Sequence, residues 1–357
     1  MVRTLAELQR APGAPAPAAA PALPFAVERL RMFDAPEFRG MTFVEVEAKT
    51  ALNRVRGMPF AWSINPYRGC SHACSYCFAR PTHAYLNLSP GADFERTVVV
   101  KTNVAEVLRR ELARPSWRGE RVALGTNTDP YQRGEGRYAL MPGIIDALTD
   151  ARTPFSILTK GTLITRDLDR LAAAAGLTEV GCALTVGMLD ERLWRAAEPG
   201  TPAPRARLEA VARLNQAGVP TGVMLAPVMP GLNDDREQLA ALVDAAAAAG
   251  ATHITPIVLH LRPGVRELFL PWLRTHHPGL VARYEELYQG PNAALGYRRR
   301  IERFICARRR AAWRRHGRPA ARVRADPAEA GRPGGPGATA GGAGQATPAP
   351  PLQLRLL

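Results

Sequence analysis

A chain of 357 residues, 46% of them apolar, is long enough to fill one large hydrophobic core, and no run in it approaches the roughly 18 consecutive apolar residues that a membrane span requires. Its five cysteines form no even, spaced framework, which argues against a disulfide scaffold, and three of them fall within eight residues. The formal charge of +15 is uneven: 44 of the 47 basic residues are arginine, and 12 of those lie between Tyr297 and Arg324 beside one acid, Glu302.

The chain starts with alternating Ala and Pro and no signal-peptide stretch, so residues 1–40 are expected to be mostly disordered and the protein cytoplasmic. From 41 to 295, a single core domain, short β-type runs alternate with helical patterns, as in βα units that build a parallel sheet or barrel. Strands are predicted over Phe60–Asn65, Thr97–Lys101, Arg121–Gly125, Phe155–Lys160, Val180–Val186, Thr221–Ala226 and His253–Val258. Capping boxes, Asn103 with Glu106 and Asp234 with Glu237, mark two helix starts. Binding groups in such architectures gather at the C-terminal ends of strands, so the loops after these strands are where chemistry is expected. Residues 296–325 read as an Arg-rich helical extension, and the Gly/Ala/Pro-rich residues 326–357 as a second disordered tail. The extension fits phosphate neutralisation, and hence nucleic-acid contact, but equally a solvated helix, since Phe304 and Trp313 are its only large aromatics after Tyr297.

Cys70, Cys74 and Cys77 stand as C-x3-C-x2-C directly after the first predicted strand of the core, with Tyr76 before the last cysteine. Thiolates at that spacing can wrap one loop around a cubane iron–sulfur cluster, each on a different iron, leaving the fourth iron open to a cofactor or substrate. Structural zinc prefers four closed ligands, usually as two separated pairs, whereas His72 lies between two of these cysteines. A non-catalytic iron–sulfur or zinc protein with a structural or electron-transfer role is the alternative reading.

This loop resembles that of the radical S-adenosylmethionine superfamily. Together INPYRGCSHACSYCFAR, LGTNTDPYQ, PRARLEAVARLNQAGVP and LHLRPGVRELFLPWL resemble the subgroup related to spore photoproduct lyase, from about Phe43 to Leu287. The resemblance implies an α/β fold, a partial (β/α)6 TIM-like barrel, whose [4Fe–4S] cluster is held by Cys70, Cys74 and Cys77. It further implies S-adenosylmethionine, cleaved reductively to a 5′-deoxyadenosyl radical that abstracts hydrogen from an unnamed substrate, and a low-potential electron donor of flavodoxin or ferredoxin type.

Cofactor contacts are implied for Tyr76 beside the cluster, for Thr128 and Asp129 at the methionyl ammonium, and for Thr159, with Lys160, at the end of a strand. Thr185 is assigned to the ribose hydroxyls and Arg207 to the cofactor carboxylate. Two of these residues have a plain structural reading as well: Asp129 as the cap of an Asp-Pro turn, Arg207 as a solvated helix residue. Strand alternation sets Cys182 on the face opposite Thr185, as a core thiol. Gly161 stands where the family often has serine, and His260 and Arg262 follow the last strand, placed to face substrate. Where the lyases carry a hydrogen-donor cysteine this chain reads Thr126, Asn127, Thr128, so no catalytic residue is assigned; Tyr131 is a conceivable hydrogen relay.

Overall fold

The computed structural model describes residues 23–58 and 60–317. Leu23 and Phe25 are already packed, with Val44, Val46, Leu86 and Val99, in a small core of their own. The segment expected to be disordered up to residue 40 therefore contains buried residues from Leu23 onward. The rest of that expectation, and the tail expected from 326 to 357, lie outside the described residues.

In chain order the strands are β1 (Arg29–Arg31), β2 (Thr42–Val46), β3 (Leu52–Arg54), β4 (Trp62–Ile64), β5 (Tyr67–Arg68), β6 (Thr97–Lys101), β7 (Val122–Leu124), β8 (Phe155–Thr159), β9 (Val180–Thr185), β10 (Thr221–Val228) and β11 (Ile254–Val258). The helices are α1 (Ala92–Arg96), α2 (Val104–Leu112), α3 (Glu135–Tyr138), α4 (Leu140–Asp150), α5 (Leu168–Leu177), α6 (Glu191–Ala197), α7 (Pro204–Gln216), α8 (Arg236–Ala248), α9 (Arg266–His276), α10 (Val281–Leu287) and α11 (Leu295–His316). None of them is long and apolar enough to cross a membrane, among the described residues.

The main sheet runs β3-β4-β7-β8-β9-β10-β11 from edge to edge. From β4 to β11 every neighbouring pair is parallel, and β3 joins β4 antiparallel. Its two end strands do not pair, so the parallel strands form an open arc, the partial barrel implied by the sequence. Helices follow most of the parallel strands, as in βα units, and β7 and β9 are almost wholly buried.

Six of the seven predicted strands lie in this arc. The seventh, Thr97–Lys101, does not: it is β6 of a separate four-stranded sheet, where it runs parallel to β2 and antiparallel to β5. β2 was not among the predicted strands, although Val44, Glu45, Val46 and Glu47 alternate apolar and charged side chains; all five of its residues are buried.

Both predicted caps shift in detail. Asn103 does sit at the N-cap of α2, but its side chain exchanges bonds with the Ala48 backbone instead of capping the helix. Helix α8 is capped by Asp235, whose Oδ1 accepts from the N–H groups of Glu237 and Gln238 at 2.9 and 3.1 Å. Asp234 closes the preceding turn, accepting Gly231 N–H at 2.7 Å, and takes the Tyr297 hydroxyl at 2.8 Å. In β10 the register slips between Leu225 and Val228, which frees the Pro227 carbonyl; Asn233 Nδ2 donates to it and to the Gly187 carbonyl, fixing the loop after β10.

Candidate functional site

The cysteine loop leaves β5 through Gly69, whose φ of +83° favours glycine and whose Cβ, if present, would meet the Phe94 and Thr97 carbonyl oxygens at 2.8 and 2.9 Å. From there the loop is pinned by other parts of the chain. Cys70 N–H donates to Phe94 O at 2.8 Å, Ser75 N–H to Ala197 O at 2.9 Å, and Gly200 N–H to His72 O at 3.1 Å. Arg80, buried, donates from Nε to Cys74 O at 3.0 Å and from Nη2 to Glu95 at 2.7 Å. Gln132, fully buried, accepts Ser71 N–H at 2.9 Å and donates to Gly69 O at 3.0 Å. The loop is thus fixed by bonds from several other parts of the chain.

Cys70, Cys74 and Cys77 are free thiols, the first two buried and the third half-buried. Burial, followed by the proximity of Asp129 and the other two thiols, pushes Cys70 well up. Burial likewise raises Cys74 to about 12, opposed by the Lys160 ammonium, and raises Cys77. All three thiols thus belong to one electrostatic neighbourhood. Among the described residues no three His, Cys, Asp or Glu side chains converge on a single metal position. A cubane does not need that, because each thiolate binds its own iron. Three soft donors on one loop, with His72 turned to the Asp129 carboxylate, fit a cluster with one open iron.

The loops after β7 and β8 meet this loop. Asp129 is almost buried. Its Oδ1 accepts the Thr159 hydroxyl at 2.5 Å and Tyr131 N–H at 2.9 Å, its Oδ2 accepts Lys160 N–H at 2.7 Å, and His72 Nδ1 stands 3.2 Å away. Burial alone would raise its pKa; the facing His72 and these donors outweigh burial and hold it at about 2. The capping role of Asp129 is thereby real, and it extends beyond a local turn, since the carboxylate ties the end of β8 to the loop after β7. Thr128 Oγ1 donates to Gly69 O at 2.7 Å and receives a bond from Gln132 at 3.0 Å. Gly161 lies so close to the Tyr131 carbonyl that a Cβ would collide with it, which accounts for glycine where the family often has serine.

Arg207 is fully buried rather than a solvated helix residue, while its neighbours Arg205 and Arg213 are exposed. Its donors go to Pro202 O at 2.8 Å, Thr185 O at 3.0 Å, and Glu198 Oε2 and Thr201 Oγ1, both at 2.5 Å. The carboxylate it meets is therefore a residue of the chain. Glu198 also accepts the Tyr76 hydroxyl, and Lys160 Nζ stands 3.9 Å from it and 5.7 Å from the Tyr76 ring centre. Burial would raise Glu198; Arg207 and Lys160 reverse this and lower it. Tyr76, Lys160, Glu198 and Arg207 form one buried knot under the cysteine loop. Glu198 was invisible in the sequence, although the turn it opens, Glu198-Pro199-Gly200, is a recognisable bend. Cys182 is a buried core thiol, raised by burial to about 12. Thr185 is buried at the end of β9. Tyr131 is buried with its hydroxyl on Asp167 at 3.0 Å, which commits the phenol to the core.

On the far side of the mouth, Arg262 donates to the Phe78 carbonyl and lies 5.4 Å over its ring, and Gly264 abuts Pro81. The loop after β11 thus leans on the segment just past Cys77. His260 bridges to Asn292; burial, then Arg298 and Arg262, lowers its pKa.

Residues 64–243 match the family model of the Radical SAM superfamily. An uncharacterized protein of Mycobacterium tuberculosis, Rv2578c, is 55% identical over 280 residues, covering 77% of this chain and 82% of the relative. A more distant one from Methanocaldococcus jannaschii is 28% identical over 191 residues, covering 54% and 69%. A point mutant of spore photoproduct lyase shares the fold with a TM-score of 0.57 at 15% identity, over 77% of this chain and 80% of its own. Another variant of that lyase, with bound AdoMet and dinucleoside spore photoproduct, gives 0.56 at 14%, over 77% and 79%.

Proposed function

Since the chain belongs to the radical S-adenosylmethionine superfamily, we propose that it is an enzyme that holds a [4Fe–4S] cluster on Cys70, Cys74 and Cys77 and cleaves S-adenosylmethionine reductively to abstract hydrogen from its substrate. One observation carries the reading. Three thiols on one loop after β5 share an electrostatic neighbourhood with Asp129, in the loop after β7, and with Lys160, just past β8, and the Asp129 carboxylate ties those two loops together. When bound, the cluster and S-adenosylmethionine supply an electron and a sulfonium C–S bond whose cleavage gives methionine and a 5′-deoxyadenosyl radical.

The chain's own residues hold and orient. Lys160, beside the thiols and steadied by Glu198, is the cation available to a cofactor carboxylate, a role that the committed donors of Arg207 leave to it; Arg207 acts through Glu198 on Tyr76 and Lys160. Asp129, ionised down to about pH 2, and Thr128 present acceptors for an ammonium. Thr159 holds Asp129 in place. Thr185, at the end of the next strand, faces the ribose. A cytoplasmic low-potential donor of flavodoxin or ferredoxin type supplies the electron.

The test is anaerobic reconstitution with iron and sulfide, followed by dithionite and S-adenosylmethionine, with analysis for 5′-deoxyadenosine. Cleavage that depends on the three cysteines supports the reading. A stable cluster that never cleaves the cofactor would favour a non-catalytic electron-transfer or structural role.

A further inference from the structure

Helix α11 sorts its arginines by face. Tyr297, Ile301, Ile305 and Ala312 are buried where it packs on α8 and β11. Arg308 and Arg315 pair with Asp244 of α8 at 2.5 Å, and Arg309 donates to Ile254 O at 2.9 Å, all holding the docked side. Arg299, Arg303, Arg310 and Arg314 are exposed and have no acidic partner among the described residues. At about 100° per residue these four fall within one narrow stripe, opposite the docked face, and at about 1.5 Å per residue they form a line of charge roughly 22 Å long.

Two clefts flank the start of the stripe, of about 410 and 520 Å³, and Arg303 lines both. The first is also lined by Arg236, Arg300 and Asp234, the second by Arg298, Arg299 and Glu302. Asp234 is already engaged by the Tyr297 hydroxyl and by Arg283, so cations dominate. The start of α11 lies beside the barrel mouth: Leu261 N–H donates to Pro291 O at 2.8 Å and His260 bridges to Asn292, just ahead of the helix, while Arg262 lies on Phe78, the residue after Cys77. Phe78 is 46% exposed even with Arg262 over its ring, so aromatic surface remains open beside the cysteine loop.

We propose that the outward arginines of α11, continued by Arg262, are a phosphate track that seats the backbone of a single-stranded nucleic acid and leads one nucleotide to Phe78 at the barrel mouth. The delivery step rests on the enzymatic reading above; the binding does not. A line of guanidiniums with no acidic partner among the described residues matches a repeating phosphodiester charge. An open aromatic at its end stacks a base, and a base can reach a reactive centre inside a barrel only when it is out of a duplex. DNA and RNA share this chemistry.

The test uses the reconstituted full chain with oligothymidylate and oligouridylate of about 20 nucleotides, a DNA duplex of equal length, and polyglutamate as a competitor. Each phosphate contact on a single strand adds about 0.7 to the salt slope, roughly a fivefold factor at 0.1 M salt. The Arg299→Ser/Arg303→Ser/Arg310→Ser/Arg314→Ser variant is therefore expected to lose affinity several hundred-fold at 0.1 M, with its slope reduced by about 3. The four Arg→Lys changes should retain most of the binding, and Arg109→Ser/Arg110→Ser, on exposed α2 arginines, should leave it unchanged. Preference for oligouridylate or oligothymidylate identifies the sugar. Unchanged affinity in the serine variant, tighter binding of the duplex, or equal displacement by polyglutamate, which would indicate an acidic protein partner, each overturns the proposal. Strand binding that follows these arginines in a chain that forms no 5′-deoxyadenosine would overturn the enzymatic reading and support the track.

Discussion

Arg207 Nη2 lies 2.5 Å from Glu198 Oε2, and neither side chain is more than 1% exposed. The pair is isolated from water, and the same carboxylate receives the hydroxyl of Tyr76, which stands between Cys74 and Cys77. Removing one member of a buried pair strands the other charge, at a cost of about 3–5 kcal/mol. Arg207→Met should lose that much in urea unfolding. The double variant Glu198→Gln/Arg207→Met should recover most of it, because a neutral amide still accepts from Tyr76. Additive losses would mean that the pair is not coupled.

Single replacement of Cys70, Cys74 or Cys77 by Ala should abolish loading of iron and sulfide, whereas Cys182→Ala, a change in the apolar core, should leave loading intact. Metal analysis after anaerobic reconstitution reads both. Full iron in the triple variant would refute the ligand assignment.

Asp129→Ala removes the acceptor of the Thr159 hydroxyl and of the Lys160 and Tyr131 N–H groups. The cluster should still load, since none of its thiolates is touched, while affinity for S-adenosylmethionine falls, together with stability by about 1–3 kcal/mol from the buried donors left unpaired. Equilibrium binding to the reconstituted protein measures the first, and unchanged affinity would remove Asp129 from the cofactor site.

His83 packs edge-on to Phe94 at 5.1 Å, and its Nε2 bonds Thr97 O at 3.0 Å. Burial lowers its pKa to about 4. With an unfolded value near 6.5, the unfolded chain takes up the proton first as pH falls. The contribution is thus complete above about pH 6.5 and lost on the way down to about pH 4, on the order of 3 kcal/mol in all. His83→Gln, which keeps a donor for Thr97 O, should flatten stability between pH 6.5 and 4. An unaltered pH slope would show that His83 is not the group responsible.

What could be read from the sequence is what is local in it. The cysteine spacing sits within eight residues, and the arc strands announce themselves as apolar runs. Glu198 could not be read, because its partners Tyr76, Lys160 and Arg207 come from three separate elements and meet only in the fold. Arg207 was found by its motif, but the carboxylate it meets in the fold, Glu198, was not, because their meeting leaves no local trace in the sequence. The cap of α8 was missed by one residue, since adjacent aspartates at 234 and 235 offer the same side chain and only the turn geometry separates them. Strand β6 was found, but its sheet was not, because parallel pairing with β2 leaves no local trace.

The sheet ends at β3 and β11 without closing, and across that seam the Arg262 side chain lies on Phe78 while Gly264 touches Pro81. A cylinder sealed by strand pairing must break ladder bonds to change its bore. Here the Arg262–Phe78 contact can be changed by substitution with the ladder untouched. The contact between the two loops that carry these side chains is thereby independent of the strand pairing that holds the sheet together.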